Sequence, residues 1–304
     1  MMLTGKNYIG FNLSATGTTT FQTVDPKKSE LLPTIFFEAT AEEMAEACAL
    51  AERAFVDYNR LSIEKRVEFL NSIVEEINSL QDLENIYCQE SGLNAARFKV
   101  ELQRTVNQIK SFALHLSQGS WMEASIDLAN ADLGLPDVRK CLTGIGPVAV
   151  FGASNFPLAY STAGGDAISA LAAGCPVIVK AHPMHNGTSE LVAHAIIRAA
   201  RRSEMPNGVF SHLNSSSFKI GQELVRHSAI KAVGFTGSFA GGKALYDIAV
   251  KREEPIPFFG EMGSLNPVFI SGKTQGLRLN ELVDQLVQSV TKNAGQFCTK
   301  PGLI

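Results

Sequence analysis

The 304 residues are 45% hydrophobic and 19% charged, enough apolar material to close one large core or two ordinary ones. A formal net charge of -3 and a pI near 6.1 provide no cationic field to gather phosphate backbones or anionic lipids, so neither nucleic acid nor a membrane surface is an expected partner. Apolar runs such as 148–151 and 177–179 fall far short of the about 20 residues that cross a bilayer.

The N-terminus lacks the basic start and apolar core of a secretory signal, which makes the cytoplasm the expected location. Five cysteines (Cys48, Cys88, Cys141, Cys175, Cys298) form no CxxC pair and stand beside no histidine cluster, so neither a disulfide framework nor a metal site is expected.

Residues 40–117 read as helices. The first, over 41–59, is rich in Ala and Glu; in the second, Val67, Leu70, Ile73, Val74 and Ile77 recur at three- and four-residue steps and make one apolar stripe. Over 120–143 the pattern gives way to polar and turn residues, with Gly134 and Pro136 close together, as in an excursion from the main body. From Gly146 onward short β-branched runs alternate with amphipathic segments. Strands are predicted at 147–151, 176–180, 209–213 and 230–235, and helices at 162–173, 187–202, 217–227 and 239–250. Such alternation implies right-handed crossovers and a doubly wound, mostly parallel α/β sheet. Phe269 and Ile270 read as the end of a further strand, and 279–293 as a further helix.

A doubly wound sheet places ligands at the carboxyl ends of its strands, so the loops after the strands are where chemistry is sought. Asn155, in Asn155-Phe156-Pro157, either presents a carboxamide to a developing oxyanion or simply turns the chain. Lys180 ends a predicted strand, where its ammonium meets a cofactor or lies on the surface. In Phe235-Thr236-Gly237-Ser238-Phe239-Ala240-Gly241-Gly242 a strand runs through Gly237 and Ser238 into a helix whose free amides suit a pyrophosphate, although GxGxxG is not present there. Glu261, set between glycines and apolar residues, is either a general base activated by burial or a solvated turn acid. Cys298 is either a nucleophile or a small buried hydrophobe.

Taken in order, Asn155-Phe156-Pro157, Val179-Lys180, Phe235-Thr236-Gly237-Ser238, Glu261-Met262-Gly263 and Gly295-Gln296-Phe297-Cys298 resemble five successive signatures of the aldehyde dehydrogenase superfamily. Within it, the stretches 146–157 and 295–302 are most similar to the α-ketoglutaric semialdehyde (2,5-dioxovalerate) dehydrogenases. The long-chain aldehyde dehydrogenases of luminous bacteria are similar in the same stretches. The resemblance implies an N-terminal helical part over 1–119, an oligomerisation excursion over 120–143, a Rossmann-like NAD(P)-binding domain over 144–259 and the start of a catalytic domain over 260–304.

It further implies that Cys298 attacks an aldehyde, that Asn155 and the Cys298 amide hold the oxyanion, and that Glu261 activates the water releasing a carboxylate product. Phe151, Lys180, Pro183, Lys219, Gly237, Ser238 and Gly242 become the cofactor-binding set. NAD-preferring members carry a glutamate near the Pro183 position; its absence here points to NADP, with NAD tolerated. Members of the family are homo-oligomers and continue well beyond their cysteine, whereas this sequence stops six residues after Cys298. The expectation is therefore a C-terminally truncated chain with little or no turnover alone, or a non-catalytic nucleotide-binding fragment.

Overall fold

The computed structural model describes residues 3–274 and 276–304. Residues 3–40, which carry no helical period, hold six short strands where a helical part was expected. β1 (Asn7–Ile9) and β2 (Asn12–Ser14) make a hairpin on the edge of the main sheet, and two small ribbons follow, β3 (Thr20–Phe21) with β6 (Phe36–Phe37) and β4 (Val24–Asp25) with β5 (Glu30–Leu31). Strands of two or three residues are too short to declare a period of two in sequence.

Four helices follow. α1 (Ala41–Tyr58) opens on a capping box in which Thr40 and Glu43 satisfy each other's backbone amides. α2 (Ile63–Asn78) is capped by Ser62 and buries Leu70, Ile73, Val74 and Ile77 of the predicted stripe, with Val67 packed at its margin. α3 (Leu83–Ser91) and α4 (Ala95–Gln118) end at Gly92 and Gly119, both left-handed, the conformation that stops a helix at least cost. In 120–143 Trp121 packs on the main core, and the residues from 123 to 142 are exposed. They form a hairpin of β7 (Ser125–Asp127) and β8 (Val138–Lys140) in which every strand residue is exposed.

The alternating segment matches its prediction closely: β9 (Val148–Phe151), α5 (Gly165–Ala172), β10 (Val177–Lys180), α6 (Asn186–Arg202), β11 (Phe210–Leu213), α7 (Lys219–Arg226), β12 (Ala232–Thr236) and α8 (Phe239–Val250). A further parallel strand, β13 (Phe258–Glu261), was not predicted. The main sheet has the order β13-β12-β9-β10-β11-β1-β2, parallel from β13 to β11 and antiparallel at the β1–β2 edge. Both faces are covered. Val148, Val150, Val177 and Val179 point into the core under α2, α4 and α6, while Ala149, Phe151, Ile178 and Phe235 point into a second core under α1, α7 and α8.

Phe269 and Ile270 belong to no strand. They are exposed, and among the described residues this segment pairs only through a single bridge between Pro267 and Leu303. α9 (Leu277–Thr291) forms where a helix was expected, but none of its residues is buried.

Gly208, entering β11, sits at φ +100°, and a Cβ there would lie 2.5 Å from the Leu50 carbonyl oxygen in α1. Gly208→Ala is expected to cost about 1–3 kcal/mol, from combined backbone strain and overlap, read as a lower urea midpoint.

Candidate active site

From β9 the chain proceeds outward to β10 and β11, then returns to the other side of β9 to make β12. The carboxyl ends of β9 and β12 therefore flank the switch point, where a doubly wound sheet opens a crevice. A cleft of about 800 Å³ occupies that place. Phe151, Asn155, Lys180, Pro183, Gly237, Ser238, Glu261 and Cys298 all line it. Eight residues singled out across more than 140 positions of sequence thus meet in one cavity.

Two do not. The Lys219 side chain is 78% exposed outside the lining and lies 3.9 Å from Glu223 one turn along α7; its neighbour Phe218 faces the cleft instead. Gly242 is a packing position, since a Cβ there would approach Met262 Cε to 2.8 Å and Phe235 Cε1 to 2.9 Å.

Lys180 makes no hydrogen bond or ion pair among the described residues, and burial pushes its ammonium down to about 8, with the Glu38 carboxylate acting the other way. A partly desolvated ammonium with no hydrogen bond or ion pair of its own at the mouth of a crevice suits an anionic ligand. Across the crevice, the Ser238 hydroxyl caps α8 by accepting from Gly241 N at 3.2 Å, and Gly237 N donates to the Glu261 carbonyl at 3.0 Å. The expected amide cradle is therefore narrower than the glycine pattern suggested, because these two amides are already engaged.

At the other end, Asn155 Nδ2 donates to the Gln296 carbonyl at 2.7 Å and so ties the loop after β9 to the segment bearing Cys298. Asn266 Nδ2 donates to the Cys298 carbonyl at 2.6 Å, as does the Ser264 hydroxyl. Cys298 is half-buried. Glu261 is exposed, the second of its two sequence readings: β13 is the sheet's edge strand, and its last residue pairs only with Thr236. Asp166 nearby is half-buried and held above the usual carboxylate range by desolvation, against the Thr236 hydroxyl bonded to it at 3.2 Å and with the Glu261 charge.

Behind Asn155 lies a group that sequence reasoning missed. The buried Arg97 guanidinium stands 4.4 Å from the Phe156 ring centre and 4.5 Å from that of Phe297, and these two rings meet edge to face at 5.7 Å. Glu101 anchors the same turn by accepting from Leu158 N at 2.9 Å and Ala159 N at 3.0 Å. In sequence, Arg97 and Glu101 are a pair four apart on a helix, the usual mark of a solvated face; here that face is inside.

The arrangement combines a thiol, a carboxamide and a carboxylate at one end of a cleft with an unpaired ammonium at the other. The model of the aldehyde dehydrogenase family matches residues 13–304. The chain belongs to that family. The resemblance drawn from the five motifs, and with it the fold class, is confirmed. Alpha-ketoglutaric semialdehyde dehydrogenase 2 of Azospirillum brasilense is 46% identical to this aldehyde dehydrogenase family member, over 100% of the chain and 59% of its own length. The alpha-ketoglutaric semialdehyde dehydrogenase of Acinetobacter baylyi is 41% identical, over 99% of the chain and 57% of its own length. The chain thus spans about three-fifths of the length of these curated relatives. Among solved structures, an E. coli NADP-dependent enzyme superposes with a TM-score of 0.84 at 24% identity, over 98% of this chain and 59% of that one, a likeness of fold. No described helix is long and apolar enough to cross a membrane.

Proposed function

We propose that this chain carries the cofactor cleft and the nucleophile of an NAD(P)-dependent dehydrogenase that oxidises 2,5-dioxopentanoate to 2-oxoglutarate. The reading rests on one observation: Cys298, Asn155 and Glu261 line the same cleft as Lys180, Gly237 and Ser238. The substrate comes from the names of the two relatives above.

Cys298 Sγ adds to the aldehyde carbon, and the resulting oxyanion is met by the Cys298 backbone amide and the Asn155 carboxamide. Asn155 spends one of its two N–H groups on Gln296, which leaves the second for the oxyanion and fixes where it points. The nicotinamide, when bound, accepts the hydride. Glu261, exposed at the cleft wall, has the access to solvent that a base activating water for thioester hydrolysis needs. Lys180, with no carboxylate at Pro183, favours NADP over NAD. Phe151 and Gly237 border the dinucleotide, and Phe218 takes the place assigned in sequence to Lys219. The exposed hairpin of β7 and β8, with Ile126 and Leu128 on its surface, serves a homo-oligomer contact.

Thiol mapping tests the cleft. Iodoacetamide is expected to modify Cys141, which is exposed, and Cys298, while Cys48 and Cys175 stay unmodified because burial pushes both thiols up. NADP should slow modification at Cys298 and leave Cys141 unchanged; equal rates at Cys298 with and without cofactor would sink the reading. With the remaining two-fifths of a relative's length supplied, NADP reduction with 2,5-dioxopentanoate and with decanal decides the substrate, a faster reaction with decanal replacing the first.

A further inference from the structure

Glu38 lies outside every motif of the sequence, in the segment between β6 and α1. Three contacts bring it to the Lys180 end of the cleft. Lys180 is the last residue of β10 and lies beside Leu213, the last of β11. The chain beyond Leu213 is joined to this segment, with Ala39 N donating to the Asn214 carbonyl at 2.8 Å. Ser216, which lines the cleft with Ser217, donates its amide to Glu38 Oε1 at 2.7 Å, and its hydroxyl donates to the same oxygen. One carboxylate oxygen is thus fixed behind the cleft wall, and the half-buried side chain carries its charge at the end of the cleft where Lys180 stands without a hydrogen bond or ion pair among the described residues.

We propose that Glu38 is a second determinant of dinucleotide choice, opposing the 2′-phosphate that Lys180 attracts and thereby keeping the unphosphorylated cofactor competitive. This rests on the reading of the cleft as a dinucleotide site. The physical reason is charge alone. A 2′-phosphate near Lys180 adds about 1.5 to 2 negative charges where a carboxylate is already tethered, whereas a 2′-hydroxyl adds none. The amide and hydroxyl of Ser216 keep Glu38 from swinging away, so the repulsion is built into the site.

Adenosine 2′,5′-bisphosphate and adenosine 5′-monophosphate isolate the adenosine end from the rest of the cofactor, and calorimetric binding of both to the whole chain is the test. Glu38→Gln keeps an oxygen for Ser216 and removes the charge. It is expected to tighten the bisphosphate about fivefold to tenfold and to change the monophosphate less than about twofold, with the difference shrinking as salt rises. Glu38→Asp retains the charge and should keep the wild-type ratio. If Glu38→Gln weakens both ligands alike, Glu38 merely braces the Ser216 loop and the proposal fails while the dinucleotide reading stands. If neither ligand binds the unaltered chain, the dinucleotide reading fails and takes this inference with it. Thermal melting of each variant separates a change of ligand choice from loss of fold.

Discussion

Glu101→Ala is expected to destabilise the chain by about 3–5 kcal/mol, the cost of leaving a buried partner charge uncompensated. The Glu101 side chain is 1% exposed and that of Arg97 6%, and their closest atoms are 3.4 Å apart. Its carboxylate also accepts from Tyr87 Oη at 2.6 Å and from the amides of Leu158 and Ala159. Alanine strips four donors at once of their acceptor, in a place water reaches poorly, and each orphan adds its own desolvation penalty. Glu101→Gln should fall between, because an amide oxygen still serves the two backbone donors while the amide nitrogen faces Tyr87 and Arg97 wrongly. Urea unfolding reads the loss. A second readout separates positioning from bulk stability. Arg97 contacts both Phe156 and Phe297, whose neighbours Asn155 and Cys298 line the cleft, so alkylation of Cys298 without denaturant should change rate in Glu101→Gln while alkylation of Cys141 does not. Unchanged rates at both cysteines in variant and parent would show that the network supports the fold without orienting the Cys298 segment.

The alternating half of the molecule was legible because the strands β9 to β12 are buried on both faces and amphipathic helices join them. The resulting apolar runs, such as Val177-Ile178-Val179, and the periods between them fit few folds besides a covered parallel sheet. The cleft was legible as a set of loop positions, since topology dictates that strand ends converge at the switch point. What sequence could not supply were relations across the chain. Glu38 lies 142 positions from Lys180, and its contact with Ser216 places it behind the same end of the cleft. Arg97 and Glu101 were invisible because a helix carries the same letters whether a charged face meets water or a neighbouring loop. Glu261 was undecided in sequence. Its glycine and phenylalanine neighbours fit a buried base or a solvated turn alike, and the edge position of β13, where Phe259 is 63% exposed, decides for exposure.

Lys180→Met is expected to weaken NADP binding about 100-fold, the loss of a strong charge-assisted contact, and to weaken NAD less, since a hydroxyl gives up a neutral acceptor and no charge. The same change should raise the melting temperature of the ligand-free chain. Lys180 is desolvated at the end of β10, which pushes its ammonium down to about 8 from the ordinary 10.5, and it has no hydrogen bond or ion pair among the described residues. Below about pH 8 both folded and unfolded chains hold the proton, so the folded state bears the full cost of the buried charge. As pH rises from about 8 to 10.5 the folded chain sheds a proton that the unfolded chain still holds, and this group's penalty is relieved. Lys180 therefore makes the unaltered chain gain stability across that window relative to Lys180→Met, and the two melting curves should converge with increasing pH. NADP affinity runs the other way. A bound 2′-phosphate favours the charged ammonium, so affinity should fall as pH rises above about 8, with proton uptake on binding, and Lys180→Met should remove that dependence. A variant that loses NADP affinity yet keeps the same pH profile would place the titrating group elsewhere. A variant that binds NADP as the parent does would remove Lys180 from the cofactor site altogether. The opposed effects on melting and binding would follow from one cause, a partly desolvated ammonium that an anionic ligand completes.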